Sequence, residues 1–130
     1  MQNSTIRFLT NEDERVEAEI TGPHLVAKGQ RARFLIRPKC VAYKPQSLVI
    51  DESPGDWMIY DFNIHGRSQF MRTGDDDADA IPGDVLSSSV DNRFSFETVQ
   101  TAMNLWVDVK YIGPRPDAPF LCTIRGLVAR

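Results

Sequence analysis

The sequence predicts an all-β protein, an antiparallel β-sandwich of jelly-roll-like type with about eight strands and at most one short helix. Three observations carry this prediction. Apolar residues recur with a period of two rather than 3.6, the mark of strands with one buried face. Turn residues punctuate those runs at spacings of about 8–12 residues. No amphipathic stretch of ten residues supplies the crossover helix that a parallel α/β sheet requires.

The elements follow in chain order. Residues 6–9 read as a short strand. In residues 15–20, Val16, Ala18 and Ile20 alternate with Arg15, Glu17 and Glu19. Residues 24–27 read as another short strand after the Gly22-Pro23 turn. Beyond Lys28-Gly29-Gln30, residues 31–37 place Ala32, Phe34 and Ile36 on one face and Arg31, Arg33, Leu35 and Arg37 on the other. Pro38 and Pro45 read as turn residues before a strand at 47–51. After Ser53-Pro54-Gly55-Asp56, residues 57–65 put Met58, Tyr60, Phe62 and Ile64 on the face assigned to the core, and Trp57, Ile59, Asp61 and Asn63 opposite. A helical turn is expected after Pro82, a strand at 93–97, and the one short helix near 97–103. Residues 104–112 alternate Leu105, Val107, Val109 and Tyr111 with Trp106, Asp108 and Lys110. Gly113-Pro114-Arg115-Pro116 turns the chain into a last strand at 120–125.

At 130 residues the chain makes one domain, spanning 1–130. Surface scaling for a chain this long gives a folded area of roughly 6,900 Å² against roughly 21,300 Å² unfolded, enough burial for one core and too little for two. A hydrophobic fraction of 42% and a charged fraction of 25% are those of a globular protein, which excludes global disorder. No run approaches the roughly 18 apolar residues of a membrane span, so no membrane partner is expected. The opening residues MQNSTIRFLTNEDERVEAEI lack the charged, apolar and small-residue regions of a secretory signal.

The formal charge of −3 argues against a dedicated nucleic-acid binder, whose domain is ordinarily basic. The charge is nevertheless uneven. Residues 28–44 hold six basic residues, Lys28, Arg31, Arg33, Arg37, Lys39 and Lys44, and no acid. Residues 12–19 hold five acids against Arg15 alone. On a strand, Arg31, Arg33 and Arg37 share one face, and guanidinium groups suit carboxylate or phosphate. Three readings stand: pairing with Glu17 and Glu19 across to the strand at 15–20, contact with an acidic protein surface, and contact with a nucleic-acid backbone.

Asp75, Asp76, Asp77 and Asp79 form an acidic knot within GDDDADAIPGD. Asp75, Asp77 and Asp79 match the first ligand positions of an EF-hand, but Ala80 stands where its Gly belongs and Leu86 where its Glu belongs, so the motif fails. A looser calcium loop, a solvated loop and an acidic patch for a basic neighbour remain as readings. Ile81, Val85 and Leu86 behind it suggest that the loop docks. Trp57 and Trp106 fall on the nominally polar faces of their strands. They read as subunit anchors, as a platform for sugar rings, or as part of a second core. Cys40 and Cys122 form no CxxC and no Cys/His cluster, which leaves a disulfide between neighbouring strands or two buried thiols. His24 and His65 stand apart from any nucleophile elbow, phosphate loop or paired-histidine motif. No catalytic residue, metal or cofactor is therefore assigned.

The segments WMIYDFNIHGRSQFM, AIPGDVLSSSV, NLWVDVKYIG and PFLCTIRGLV follow one another over about the last 75 residues. Their order is an aromatic strand, a Gly-x-Ser-Gln turn, an acidic loop ending in Ile-Pro, a Val-rich strand ending Tyr-Ile-Gly, and a closing strand with Gly. This pattern resembles small jelly-roll or β-sandwich virion proteins of tailed phages, including capsid cement or decoration proteins. The resemblance implies a structural protein that binds between major capsid subunits, often as a trimer, made in the host cytoplasm and found in the virion. It carries no catalytic residues over. The alternative from the residues alone is a carbohydrate-binding sandwich module using Trp57 or Trp106.

Overall fold

The computed structural model describes residues 3–40, 42–69, 80–87, 98–100 and 103–129. Asp75, Asp76, Asp77 and Asp79, and the strand expected at 93–97, lie outside the described residues. The strands are β1 (Thr5–Thr10), β2 (Arg15–Val16), β3 (Ala18–Thr21), β4 (Val26–Ala27), β5 (Arg31–Pro38), β6 (Ala42–Ile50) and β7 (Trp57–Ile64). They continue with β8 (Arg67–Ser68), β9 (Ile81–Pro82), β10 (Val99–Gln100), β11 (Leu105–Tyr111), β12 (Asp117–Ala118) and β13 (Leu121–Ala129). Two 3-10 turns, Pro54–Asp56 and Gly83–Leu86, complete the described elements. The second is the helical turn expected after Pro82. In place of the short helix expected near 97–103, Val99 and Gln100 are strand, with Val99 opposite Tyr43.

The strands form two main sheets, ordered β10-β6-β13-β1-β2 and β3-β5-β11-β7-β8, with β9 on β7 and a separate β4–β12 ribbon. Pairing is antiparallel except between β1 and β13, where the two ends of the chain run parallel. One core lies between the sheets. From the first come Ile6, Phe8, Tyr43, Leu48, Ile50 and Ile124; from the second come Phe34, Ile36, Phe62, Ile64, Val107 and Val109. The accessible surface is 7271 Å², close to the area expected for one domain. No helix among the described residues is long and apolar enough to cross a membrane.

The run at 15–20, read as one strand, is two. β2 pairs with β1 in the first sheet and β3 with β5 in the second, so the chain changes sheets at Glu17. Leu86 is fully buried, so the end of the acidic loop docks as expected, while Val85 stays exposed. His65 and Gly66, with φ of 50° and 87°, form the two-residue turn between β7 and β8. Positive φ at both central residues is what a hairpin turn matching strand twist demands.

Each sheet has a bulge in a long strand, and each bulge reverses the inward–outward alternation. In β6, Ser47 faces Arg125 and Pro45 faces Gly126, so Gln46 is the extra residue. Tyr43, Pro45, Leu48 and Ile50 then all point inward. Pro45 lies within a strand rather than at a turn because the bulge interrupts the ladder that its missing N–H would otherwise weaken. Gly126 is required there: a Cβ on it would sit 2.1 Å from the Lys44 carbonyl oxygen. In β7, Asp61 faces Asp108 and Ile59 faces Val109, so Tyr60 is the extra residue.

Two buried titratable groups lie under the first sheet. The Tyr43 hydroxyl reaches the Leu9 and Ile124 carbonyl oxygens at 2.7 and 3.1 Å, tying β6 to β13 and, beyond it, to β1. Burial raises its pKa, with the nearby Cys40 adding to the rise. Burial, and then the charge of Asp51, likewise push the Cys122 thiol well up. Cys40 and Cys122 are both free thiols, so no disulfide links them.

Candidate interaction surface

The outer face of the second sheet holds four of the residues singled out from sequence. β5 contributes Arg31, Arg33 and Arg37, and β11 contributes Trp106, Asp108 and Lys110. Antiparallel pairing sets Arg33 opposite Asp108, Leu35 opposite Trp106 and Arg31 opposite Lys110. Asp108 is the hub. Its Oδ2 accepts a hydrogen bond from Arg31 Nη2 at 2.9 Å and lies 3.5 Å from Arg33 Nη2. The Asp108 side chain is only 10% exposed, whereas those of Arg31 and Arg33 are 36% and 58% exposed.

Two aromatic rings complete the arrangement. The Arg31 guanidinium lies 3.9 Å from the centre of the Tyr60 ring, and that of Arg33 lies 5.0 Å from the Trp106 ring. Both are within cation–π range. Tyr60 is 1% exposed yet stands apart from the sandwich core, because as the bulged residue of β7 it turns outward. Beside it, Asp61 accepts hydrogen bonds from Ser68 Oγ at 2.6 Å and Asn63 Nδ2 at 3.1 Å. Asn63 and Trp106 face one another across β7 and β11. Each carries a buried polar atom with no partner among the described residues: Asn63 Oδ1, an acceptor, and the Trp106 indole N–H, a donor.

The sequence-level expectations divide. Arg31, Arg33 and Trp106 come together. Arg37 lies further along the same strand face, with its Nε donating to Asn104 Oδ1 at 3.1 Å. Trp57 does not join them, a correction with a definite cause. The alternation assigned to residues 57–65 assumed an unbroken strand. The bulge at Tyr60 makes Trp57, Ile59, Phe62 and Ile64 the inward set, so Trp57 is 2% exposed. Its ring packs at 5.1 Å from Tyr111 and 5.0 Å from Phe120, and offers no face to a partner or a sugar.

The expected pairing between the arginines and the strand at 15–20 also changes partner. Glu19 does lie opposite Arg37, and Lys39 Nζ lies 3.8 Å from it. Glu17 falls between strands, and Arg31 and Arg33 turn instead to Asp108 on their other neighbour. Sequence reasoning missed Asp108, Tyr60 and Asn63 as members of the site. For Asp108 the signal was present: an acid between Trp106 and Lys110, at outward positions of an otherwise apolar strand. For Tyr60 it was the shift from apolar Trp57 and Ile59 to polar Asp61 and Asn63 at the same parity.

Among the described residues no group of three or more His, Cys, Asp or Glu side chains is placed to hold a metal ion. His65 is a turn residue whose backbone N–H donates to the Asn104 carbonyl oxygen, and the His24 carbonyl oxygen accepts from Ser4. What the outer face presents chemically is guanidinium groups held on aromatic rings around a shielded carboxylate. No family model matches the chain, and neither a curated protein nor a solved structure matches it.

Proposed function

We propose that the chain is a non-enzymatic assembly protein, a jelly-roll-like virion component of the capsid cement type, that docks on an acidic protein surface through the outer face of its second sheet. The observation that supports this most is the Arg33–Trp106 pair beside the Arg31–Asp108 bridge. Arginine and tryptophan dominate binding energy at protein interfaces. Here their side chains are held by strands and by each other, so little side-chain freedom is lost on docking. Asp108 neutralises one guanidinium and leaves the arginine group with a net positive charge in a chain whose total is −3. That asymmetry steers an acidic partner toward this face. In the same reading the acidic surface this face meets includes that of a second copy, so the chain closes into a trimer, which contacts the major capsid protein in the virion lattice.

The test is light scattering over a range of concentration and salt, on the native chain and on Arg33→Ala with Arg37→Ala. Those substitutions leave the Arg31–Asp108 hydrogen bond in place. The expected result is a closed oligomer, a trimer, that weakens by about tenfold or more in the double variant while the thermal melt stays cooperative. A monomer at every concentration, or an oligomer indifferent to the double variant, overturns the reading.

A further inference from the structure

We propose that a second site, a cleft between the 52–57 segment and the loop after β11, binds a small zwitterion of the free α-amino-acid class. The cleft has a volume of about 290 Å³. That is just below the roughly 300 Å³ at which pockets for drug-sized ligands begin, so its occupant is small. Glu52, Ser53 and Asp56 line it from one connection, Tyr111 and Arg115 from the other, and Trp57 forms part of its floor.

The floor carries polar atoms in need of acceptors. Tyr111 is 1% exposed and Trp57 2%. The Tyr111 hydroxyl accepts the Arg115 backbone N–H at 3.2 Å, and its own proton has no acceptor among the described residues. The Trp57 indole N–H has none there either, and that nitrogen opens to solvent at the cleft rather than being sealed in the core. Two donors that have no protein acceptor and open on one cleft are positioned to meet a ligand or water. The loop is shaped around that hydroxyl, since a Cβ on Gly113 would fall 2.4 Å from it. The opposite connection is strained: Ser53 holds a φ of 47° directly before Pro54. Such strain concentrates at ligand sites.

Charge selects the ligand class. The side chains of Glu52, Asp56 and Arg115 make no ion pair or hydrogen bond with a described residue. A plain anion would suit Arg115, Tyr111 and Trp57 but meet two carboxylates. A plain cation would suit the carboxylates and meet Arg115. A molecule with a carboxylate and an ammonium group a few bonds apart satisfies both sets. Ala118 and Pro119 supply the apolar wall for its side chain. The cleft uses the inward residues of β7 and β11, so this site is independent of the outer-face surface.

The chain has two tryptophans, so two indole N–H signals report in a nitrogen-15 NMR spectrum, and Trp106→Phe assigns them. Pools of the free L-amino acids are titrated into the intact protein to about 10 mM. The best member is then compared with its amide and its N-acetyl derivative. The Trp57 signal is expected to move saturably, the Trp106 signal to stay, and each blocked form to bind at least about tenfold more weakly. Arg115→Ala, and Glu52→Gln with Asp56→Asn, should each abolish the movement while the Trp106 signal reports an intact fold. No movement of the Trp57 signal with any pool overturns the proposal. So does equal movement by the blocked forms.

Discussion

The outer faces of the two sheets are built from the same residue types and differ in how much water reaches them. On the first sheet, Arg7 Nη2 donates to Thr123 Oγ1 at 2.9 Å, and the Thr123 hydroxyl donates to Asp51 Oδ2 at 2.7 Å. Arg7 and Asp51 themselves stand 3.8 Å apart with side chains 57% and 32% exposed. On the second sheet, Asp108 is shielded by strands and rings and takes Arg31 at 2.9 Å. Coulomb attraction weakens as the local dielectric constant rises, so the direct Arg7–Asp51 attraction is screened and those two side chains are joined through the buried Thr123 hydroxyl, whereas the Arg31–Asp108 pair is itself a structural joint. Sequence composition alone does not separate them. The neighbours of each aspartate do.

The comparison breaks or holds first at Asp108. Asp108→Ala strips Arg31 and Arg33 of their shared carboxylate while Tyr60 and Trp106 still hold them against the sheet. A stability loss of about 2 kcal/mol is expected in urea unfolding, less than for a fully buried pair because both arginines reach solvent. A loss under about 0.5 kcal/mol would put the two faces in the same class.

The first sheet's sensitivity lies beneath it rather than on it. Cys122 and Tyr43 are held neutral by burial, with folded pKa values above their ordinary 9.0 and 10.0. In the unfolded chain each releases its proton at its ordinary pKa, so the stabilisation is fully present below those values and is lost as pH rises. Between pH 9 and pH 10 stability should fall by about 1 kcal/mol through Cys122 alone, with Tyr43 adding to the slope above pH 10. Cys122→Ala should remove the first part of that decline. A slope unchanged by the substitution would locate the titration elsewhere.

How much of this was legible depends on parity. The all-β class, most strands and the grouping of Arg31, Arg33 and Trp106 follow from a period of two, because residues 31–37 and 104–112 contain no bulge. Residues 57–65 contain one, and a single inserted residue exchanges inside for outside. Trp57 therefore went from an interface residue to a core anchor. Tyr60 made the reverse move. Pro45 misled for the same reason: its ring suits a turn, and only the register between β6 and β13 shows that a bulge accommodates it within a strand. The partner of the arginines was hidden for another reason. Alternation assigns a residue to a face but does not say which neighbouring strand lies beside it, and β5 has β3 on one side and β11 on the other.

The smallest effects sharpen the comparison most. Asp51→Ala should cost about 1 kcal/mol, mostly through the lost Thr123 hydrogen bond rather than the screened Arg7 pair, and a loss near that of Asp108→Ala would erase the distinction. Trp106→Phe should leave stability unchanged or raise it by up to about 1 kcal/mol. The phenyl ring keeps a face beneath Arg33, though a weaker one, and the variant deletes a buried N–H that has no acceptor among the described residues. Those two changes oppose each other. Urea unfolding and light scattering on this variant together separate the roles of the indole. Unchanged stability with weakened assembly would mean that the N–H meets its acceptor on a partner. A loss above about 1 kcal/mol would mean that the indole serves the fold, and that its donor finds a bridging water with Asn63 Oδ1 directly opposite.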